Sequence, residues 1–160
     1  MRTVCTIRAL FVGLGSIGTR HLKNLHNLCT DRGWTLQADA LRSDLHRPLR
    51  DGVAELLHAQ YTDLAAAPAR YDMVFITNPT SLHAEALQQV KGRGEALFIE
   101  KPIFSAEQTG LDLADCLPEN QKAYVAAPMR WCGVMLALKD LLQSQKTIRE
   151  LKTETAALRL

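Results

Sequence analysis

The chain has little that points to nucleic acid, a membrane or a metal. Only 6% of its 160 residues are aromatic, and 19 Lys and Arg against 17 Asp and Glu leave a formal charge of +2. With no dense basic run and few rings to stack on bases, nucleic acid is not an expected partner. Cys5, Cys29, Cys116 and Cys132 form no C-x-x-C pair, and His21, His26, His46, His58 and His83 form no H-x-x-x-H pair, so no metal site is expected. The thiols read as ordinary cysteines of a reducing compartment. No apolar run approaches the ~20 residues of a membrane span, Arg8 interrupts the first apolar stretch, and no small-residue cleavage pattern follows it. A cytoplasmic protein is expected. Repeats and low-complexity linkers are missing too, and the length suits one main domain that buries roughly 70% of its unfolded surface.

What is present is an alternation of strand and helix signals. Ile7 to Val12 is a short apolar run ending at a glycine, as in a strand buried on both faces. Ile17, His21, Leu22, Leu25 and Leu28 then recur at helical spacing to about Cys29, with Gly33 as a stop. Strands are predicted at 35–41, 59–61, 72–77, 96–99 and 123–127. Helices are predicted at 53–57, from Thr80 or Ser81 to Val90, from a capping box at Ser105-Ala106-Glu107-Gln108 to Cys116, and at 132–142. Residues 148–160 are a last extended candidate. Strands alternating with helices imply right-handed crossovers, and the expected fold is α/β: a doubly wound parallel sheet of the Rossmann type in order 3-2-1-4-5-6.

Gly13-Leu14-Gly15-Ser16-Ile17-Gly18 stands at the first strand-to-helix turn. There Gly13 permits the tight turn, Gly15 removes a side chain where a pyrophosphate approaches, and Gly18 lets helix and strand pack closely. The N–H groups opening the helix at Ser16 and Ile17 would face the phosphates. A purely structural tight turn is the competing reading.

The end of the second strand bears on the choice of dinucleotide. NAD binders usually carry an acid there for the ribose hydroxyls, whereas this strand ends Ala40-Leu41-Arg42-Ser43. Arg42 can pair with a 2′-phosphate and Ser43 can donate to it, which favours NADP over NAD. Asp39 or Asp44 as the ribose ligand, and Arg42 as a solvated surface charge, stay open as alternatives.

Thr77-Asn78-Pro79 falls at the edge of the fourth strand, where such sheets bind ligands, and Asn78 offers a donor and an acceptor; Asn-Pro-Thr is equally good turn chemistry. His83, one turn into the next helix, reads as a structural histidine or as part of the same site. Glu100-Lys101-Pro102 follows the fifth strand. A lysine at the cleft mouth can donate to a ribose hydroxyl or a substrate oxygen, and a desolvated one can transfer a proton. Pro102 raises the chance of a cis bond.

Gly13 to Leu25, Thr77-Asn78-Pro79-Thr80-Ser81-Leu82-His83, Glu100-Lys101-Pro102 and Ala127-Pro128-Met129-Arg130-Trp131 together resemble the N-terminal domain of the glucose-fructose oxidoreductase, inositol dehydrogenase and rhizopine catabolism family, Gfo/Idh/MocA. The resemblance runs from about residue 7 to Arg130. It implies that the glycines hold the pyrophosphate and that Asn78 and Pro79 lie along the nicotinamide half. It implies that Lys101 contacts the nicotinamide ribose and the reacting oxygen, with Thr77, His83, Glu100 and Arg130 nearby. It further implies hydride transfer to or from a sugar, polyol or related carbonyl compound. The family pattern continues into an open sheet carrying a catalytic histidine and the oligomer interface. Here 1–130 would be the cofactor domain, and 131–160 a connecting helix and the first strand of a truncated substrate domain, a strand able to pair with a second copy. The expectation is cofactor binding with little turnover by this chain. The alternative is a non-catalytic dinucleotide-binding module that regulates or completes a partner.

Overall fold

The computed structural model describes residues 5–50, 52–119 and 121–144. Six strands are formed: β1 (Thr6–Val12), β2 (Thr35–Leu41), β3 (Ala59–Tyr61), β4 (Tyr71–Ile76), β5 (Gly94–Ile99) and β6 (Lys122–Val125). All their pairings are parallel, in the order β3-β2-β1-β4-β5-β6. The expected Rossmann topology is what the chain adopts.

β1 lies at the centre because its residues tolerate burial on both faces. Ala9, Leu10 and Phe11 are wholly buried. Alternation along the strand sends Ala9 and Phe11 to one core with Leu22 and Leu25 of helix α1 (Ser16–Asp31), while Leu10 and Val12 join a second core with Ala86, Leu87 and Val90 around helix α2 (His83–Gln89). The first core is partly aromatic: the Phe11 and Phe75 rings stack with centroids 4.4 Å apart, and Phe98 lies 5.2 Å from Phe75. α1 ends where Gly33 takes φ +66°, a conformation that a side chain disfavours. Short 3₁₀ turns at Ala54–Leu56, Leu64–Ala66 and Thr80–Leu82 complete the connections, the last of these replacing the first turn of the helix expected from Thr80.

One predicted element is corrected. The helix expected from Ser105 to Cys116 is only the four-residue α3 (Leu113–Cys116). Half of the predicted capping box does form, since Ser105 N–H donates to Gln108 Oε1 at 3.0 Å. The turn closes once, with Gln108 N–H donating to Ser105 O, and does not propagate; Gly110 adopts φ +81°, and the chain restarts at Asp112, whose carboxylate accepts the N–H of Ala114.

The chain divides into two compact units, Met1–Ala126 and Ala127–Leu160. The second contains a 3₁₀ turn at Pro128–Trp131, closed by Arg130 N–H to Ala127 O, and helix α4 (Gly133–Ser144). The predicted strand at 148–160 lies outside the described residues. Among the described residues no helix is long and apolar enough to cross a membrane, and no cluster of His, Cys, Asp and Glu could hold a metal ion.

Candidate dinucleotide site

The residue after each of five strands extends the ladder by one bond. Gly13 N–H donates to Leu41 O, Arg42 to Tyr61 O, Thr77 to Val12 O, Glu100 to Ile76 O and Ala126 to Ile99 O, at 2.8–3.0 Å. These residues therefore stand in one row along the C-terminal edge of the sheet. The chain order reverses between β1 and β4, so the crevice that such sheets use for ligands opens between Gly13 and Thr77.

The three glycines have separate physical reasons. At Gly13, φ is +84° and an added Cβ would lie 2.6 Å from Asn78 Cα. At Gly18 a Cβ would lie 2.6 Å from the Gly13 carbonyl and 2.8 Å from Thr77 Oγ1. Both positions are closed by neighbouring chain. Around Gly15 nothing stands within 4 Å. Gly15 is the N-cap of α1, supplies no side-chain bond to it, and the first turn carries no acid. The opening N–H groups at Ser16, Ile17 and Gly18 thus have no competing side-chain acceptor, beside open space and at the positive end of a sixteen-residue helix. These features fit a phosphate.

Thr77 and Asn78 do different things. The buried Thr77 hydroxyl donates to Gly13 O at 2.6 Å, fastening β4 to the glycine turn. Asn78 spends its amide N–H on Leu82 O at 3.2 Å, and its Oδ1 is buried without a partner. An orphaned acceptor at this edge is suited to a ligand donor such as a hydroxyl or carboxamide. Pro79 stands exposed beside it at the start of the 3₁₀ turn.

His83, 1% exposed, bridges two loops, with Nε2 3.0 Å from Asn78 O and Nδ1 3.0 Å from Ile103 O. It fastens the Asn78 turn to the segment that follows Lys101-Pro102, whose peptide bond is cis. Glu100 is likewise engaged within the protein: Oε1 lies 2.6 Å from His21 Nε2 on α1, and Oε2 accepts the N–H of Lys101 at 3.1 Å. The Lys101 side chain is exposed, so the burial that desolvated proton transfer requires is missing from this unit. Arg130 belongs to the second unit.

At the end of β2 the candidates separate clearly. Asp39 is 3% exposed and accepts from Tyr71 Oη at 2.9 Å, with His58 Nδ1 3.1 Å from its other oxygen. That carboxylate is part of the fold and is not presented to a ribose. Burial, reinforced by the bond to Asp39, pushes the Tyr71 phenol well above the usual tyrosine range. Asp44 is exposed and accepts the His46 N–H in a local turn, and Ser43 is exposed beside it. Arg42 donates to Gln60 Oε1 at 2.7 Å and to the Arg47 carbonyl. Its guanidinium is thus fixed in place, which the view of a freely solvated charge did not anticipate. Neither His21 nor Gln60 is singled out as a site residue by the sequence: His21 reads as part of a helical stripe with Leu22 and Leu25, and Gln60 sits on a strand only three residues long.

A six-stranded parallel sheet with an open glycine turn at its switch point defines a dinucleotide-binding Rossmann domain. The comparisons agree. A family model described as an oxidoreductase family with NAD-binding Rossmann fold, GFO_IDH_MocA, matches residues 7–127, and the chain belongs to that family. The oxidoreductase YrbE of Bacillus subtilis (strain 168), itself uncharacterized, is 29% identical over 109 residues, covering 64% of this chain and 30% of its own length. The WlbA dehydrogenase of Chromobacterium violaceum, solved with NADH and UDP-GlcNAcA, superposes with a TM-score of 0.70 at 23% identity, over 89% of this chain and 43% of that one. Myo-inositol 2-dehydrogenase of Lactobacillus plantarum superposes with a TM-score of 0.64 at 26% identity, over 86% and 41%. The chain therefore spans less than half the length of these relatives.

Proposed function

We propose that this chain is the cofactor-binding part of an NAD(P)-dependent oxidoreductase acting on a sugar, polyol or related carbonyl compound. The observation that carries the reading is the pairing, across the switch point, of an uncapped helix N-terminus beside open space at Gly15 with the orphaned acceptor Asn78 Oδ1. When bound, the nicotinamide supplies the hydride acceptor or donor. The protein's part is to hold and orient. The N–H groups at Ser16, Ile17 and Gly18 take the pyrophosphate, Asn78 takes a donor from the nicotinamide half, and Lys101 donates to a ribose hydroxyl or to the oxygen of the reacting carbon. NADP is the favoured cofactor, because Asp39 is committed to Tyr71 while Arg42 and Ser43 stand at the ribose end. The neighbours solved with NADH keep NAD as the alternative.

Hydride transfer requires the acceptor to be held about 3–3.5 Å away in a site that excludes water. Lys101 is exposed, so we expect the 160-residue chain to bind nucleotide with little turnover of its own. Calorimetric titration with NADPH and with NADH, repeated on Arg42→Ala, tests the reading. NADPH binding that weakens in the variant supports it. Absence of binding by either nucleotide overturns it, and robust substrate-dependent NADPH oxidation by this chain overturns the expectation of low turnover.

A further inference from the structure

Beside the first turns of α1 lies an open cleft of about 610 Å³, lined by Ser16, Thr19, Arg20, Lys23, Asn24 and Arg50. Five of these recur at i, i+3, i+4, i+7 and i+8, so they form one stripe of the helix, and the β2–β3 connection brings Arg50 to face it. Three of the six carry positive charge and none carries negative charge. Arg20 and Arg50 are exposed, and neither forms an ion pair among the described residues. Thr19 supplies a second, independent mark. It is 7% exposed, it lines the cleft, and its hydroxyl has no hydrogen-bond partner. A threonine in a helix ordinarily returns its hydroxyl to the carbonyl four residues back, as Thr30 does to His26 O at 2.9 Å. Thr19 does not, and a buried hydroxyl left without a partner favours any ligand that provides one.

We propose that this cleft is a phosphate subsite, read by Arg20, Lys23 and Arg50 with the Thr19 and Ser16 hydroxyls, and that the phosphate it takes is the 2′-phosphate of NADP(H). Guanidinium groups suit a dianionic phosphate because their forked N–H donors match its oxygens, and a concave wall of one sign concentrates the field on it. The cleft begins at Ser16, the residue whose N–H opens α1, so a dinucleotide laid along the glycine turn has its adenosine end beside the cleft. Arg42 is held by Gln60 and the Arg47 carbonyl, and the cleft supplies Arg20 and Arg50 as further cations. The assignment of the phosphate to NADP rests on the cofactor reading above; the subsite itself does not.

The test is calorimetry on the 160-residue chain with NADPH, NADH, 2′,5′-ADP and inorganic phosphate, using wild type, the double variant R20Q/R50Q and T19V. The arginines are exposed, and an unchanged thermal midpoint certifies the fold of each variant. The expected result is at least a tenfold loss of NADPH and 2′,5′-ADP affinity in R20Q/R50Q, a loss of about threefold in T19V, and NADH within twofold of wild type. Loss of inorganic phosphate binding in R20Q/R50Q with an unaltered NADPH-to-NADH ratio upholds the subsite and overturns its assignment to the cofactor. Equal binding of every phosphate probe by wild type and R20Q/R50Q overturns the subsite. Failure of wild type to bind either dinucleotide refutes the cofactor reading, while the inorganic phosphate arm still decides the cleft.

Discussion

Glu100 holds the helix that follows the glycine turn and the backbone that carries Lys101 with one carboxylate: His21 Nε2 lies 2.6 Å from Oε1, and Lys101 N–H donates to Oε2 at 3.1 Å. The His21 ring also packs on Phe98, with centroids 4.7 Å apart, so the link is anchored in the core. Glu100→Ala should lower stability by about 1–2 kcal/mol in urea unfolding, the worth of a hydrogen bond to a largely buried charged group. Its effect on nucleotide affinity should be no larger than that. A loss of affinity far above the loss of stability would instead make Glu100 a direct cofactor ligand.

The glycines should separate by cause. Gly13→Ala places a methyl 2.6 Å from Asn78 Cα at a positive φ, and Gly18→Ala places one 2.6 Å from the Gly13 carbonyl. Each should destabilise by about 2–3 kcal/mol, because backbone is in the way. Gly15→Ala meets nothing within 4 Å and should leave the thermal midpoint within a degree or two while weakening dinucleotide binding. Paired thermal melts and titrations of the three variants check this.

How much of this was legible beforehand differs by element. β1 could be read as a short apolar run ending at Gly13, and α1 from apolar residues recurring at helical spacing up to Gly33. The strand order followed from the alternation of strand and helix. The helix from Ser105 failed because the capping box is a local device and says nothing about what Gly110 does five residues later. The glycine turn was readable at the site, since its spacing is a backbone requirement. The Asp39–Tyr71 bond joins strands 32 residues apart, and Arg50 reaches α1 from a connection without periodicity, so neither left a local pattern to find.

His83 lies between two carbonyl oxygens, Asn78 O and Ile103 O, each 3.0 Å from one of its ring nitrogens. His83→Ala should lower stability by about 2–4 kcal/mol through the lost bonds and the cavity left behind. His83→Gln, which keeps an amide donor in the pocket, should recover part of that. Urea unfolding of both variants measures the difference. Equal stability of the alanine variant and wild type would contradict the bridging role.

Tyr71 predicts behaviour in alkali. Its phenol is raised in the folded protein by burial and then by the bond to Asp39, so the folded state holds that proton more tightly than the unfolded chain. The contribution is complete below tyrosine's ordinary value of about 10 and is lost as pH rises beyond it, at about 1.4 kcal/mol per unit. Tyr71→Phe should be less stable near neutrality by about 1–3 kcal/mol, because the buried Asp39 carboxylate loses a donor. It should also show a shallower decline between pH 10 and pH 11. Denaturant titrations across that interval provide the comparison; parallel declines in the two proteins would show that the Asp39–Tyr71 pair does not govern it.

The row formed by Gly13, Arg42, Thr77, Glu100 and Ala126 is set by main-chain bonds to the neighbouring strands, with the Thr77 hydroxyl adding a bond to Gly13 O. A change of ligand preference therefore does not require the foundation to move. Arg20 and Arg50 are exposed and can be exchanged one at a time while the main-chain bonds of that row stay as they are. If the proposed subsite is what reads the nucleotide, selectivity for one nucleotide over another would be a removable surface layer, open to stepwise revision without passing through an unfolded intermediate design.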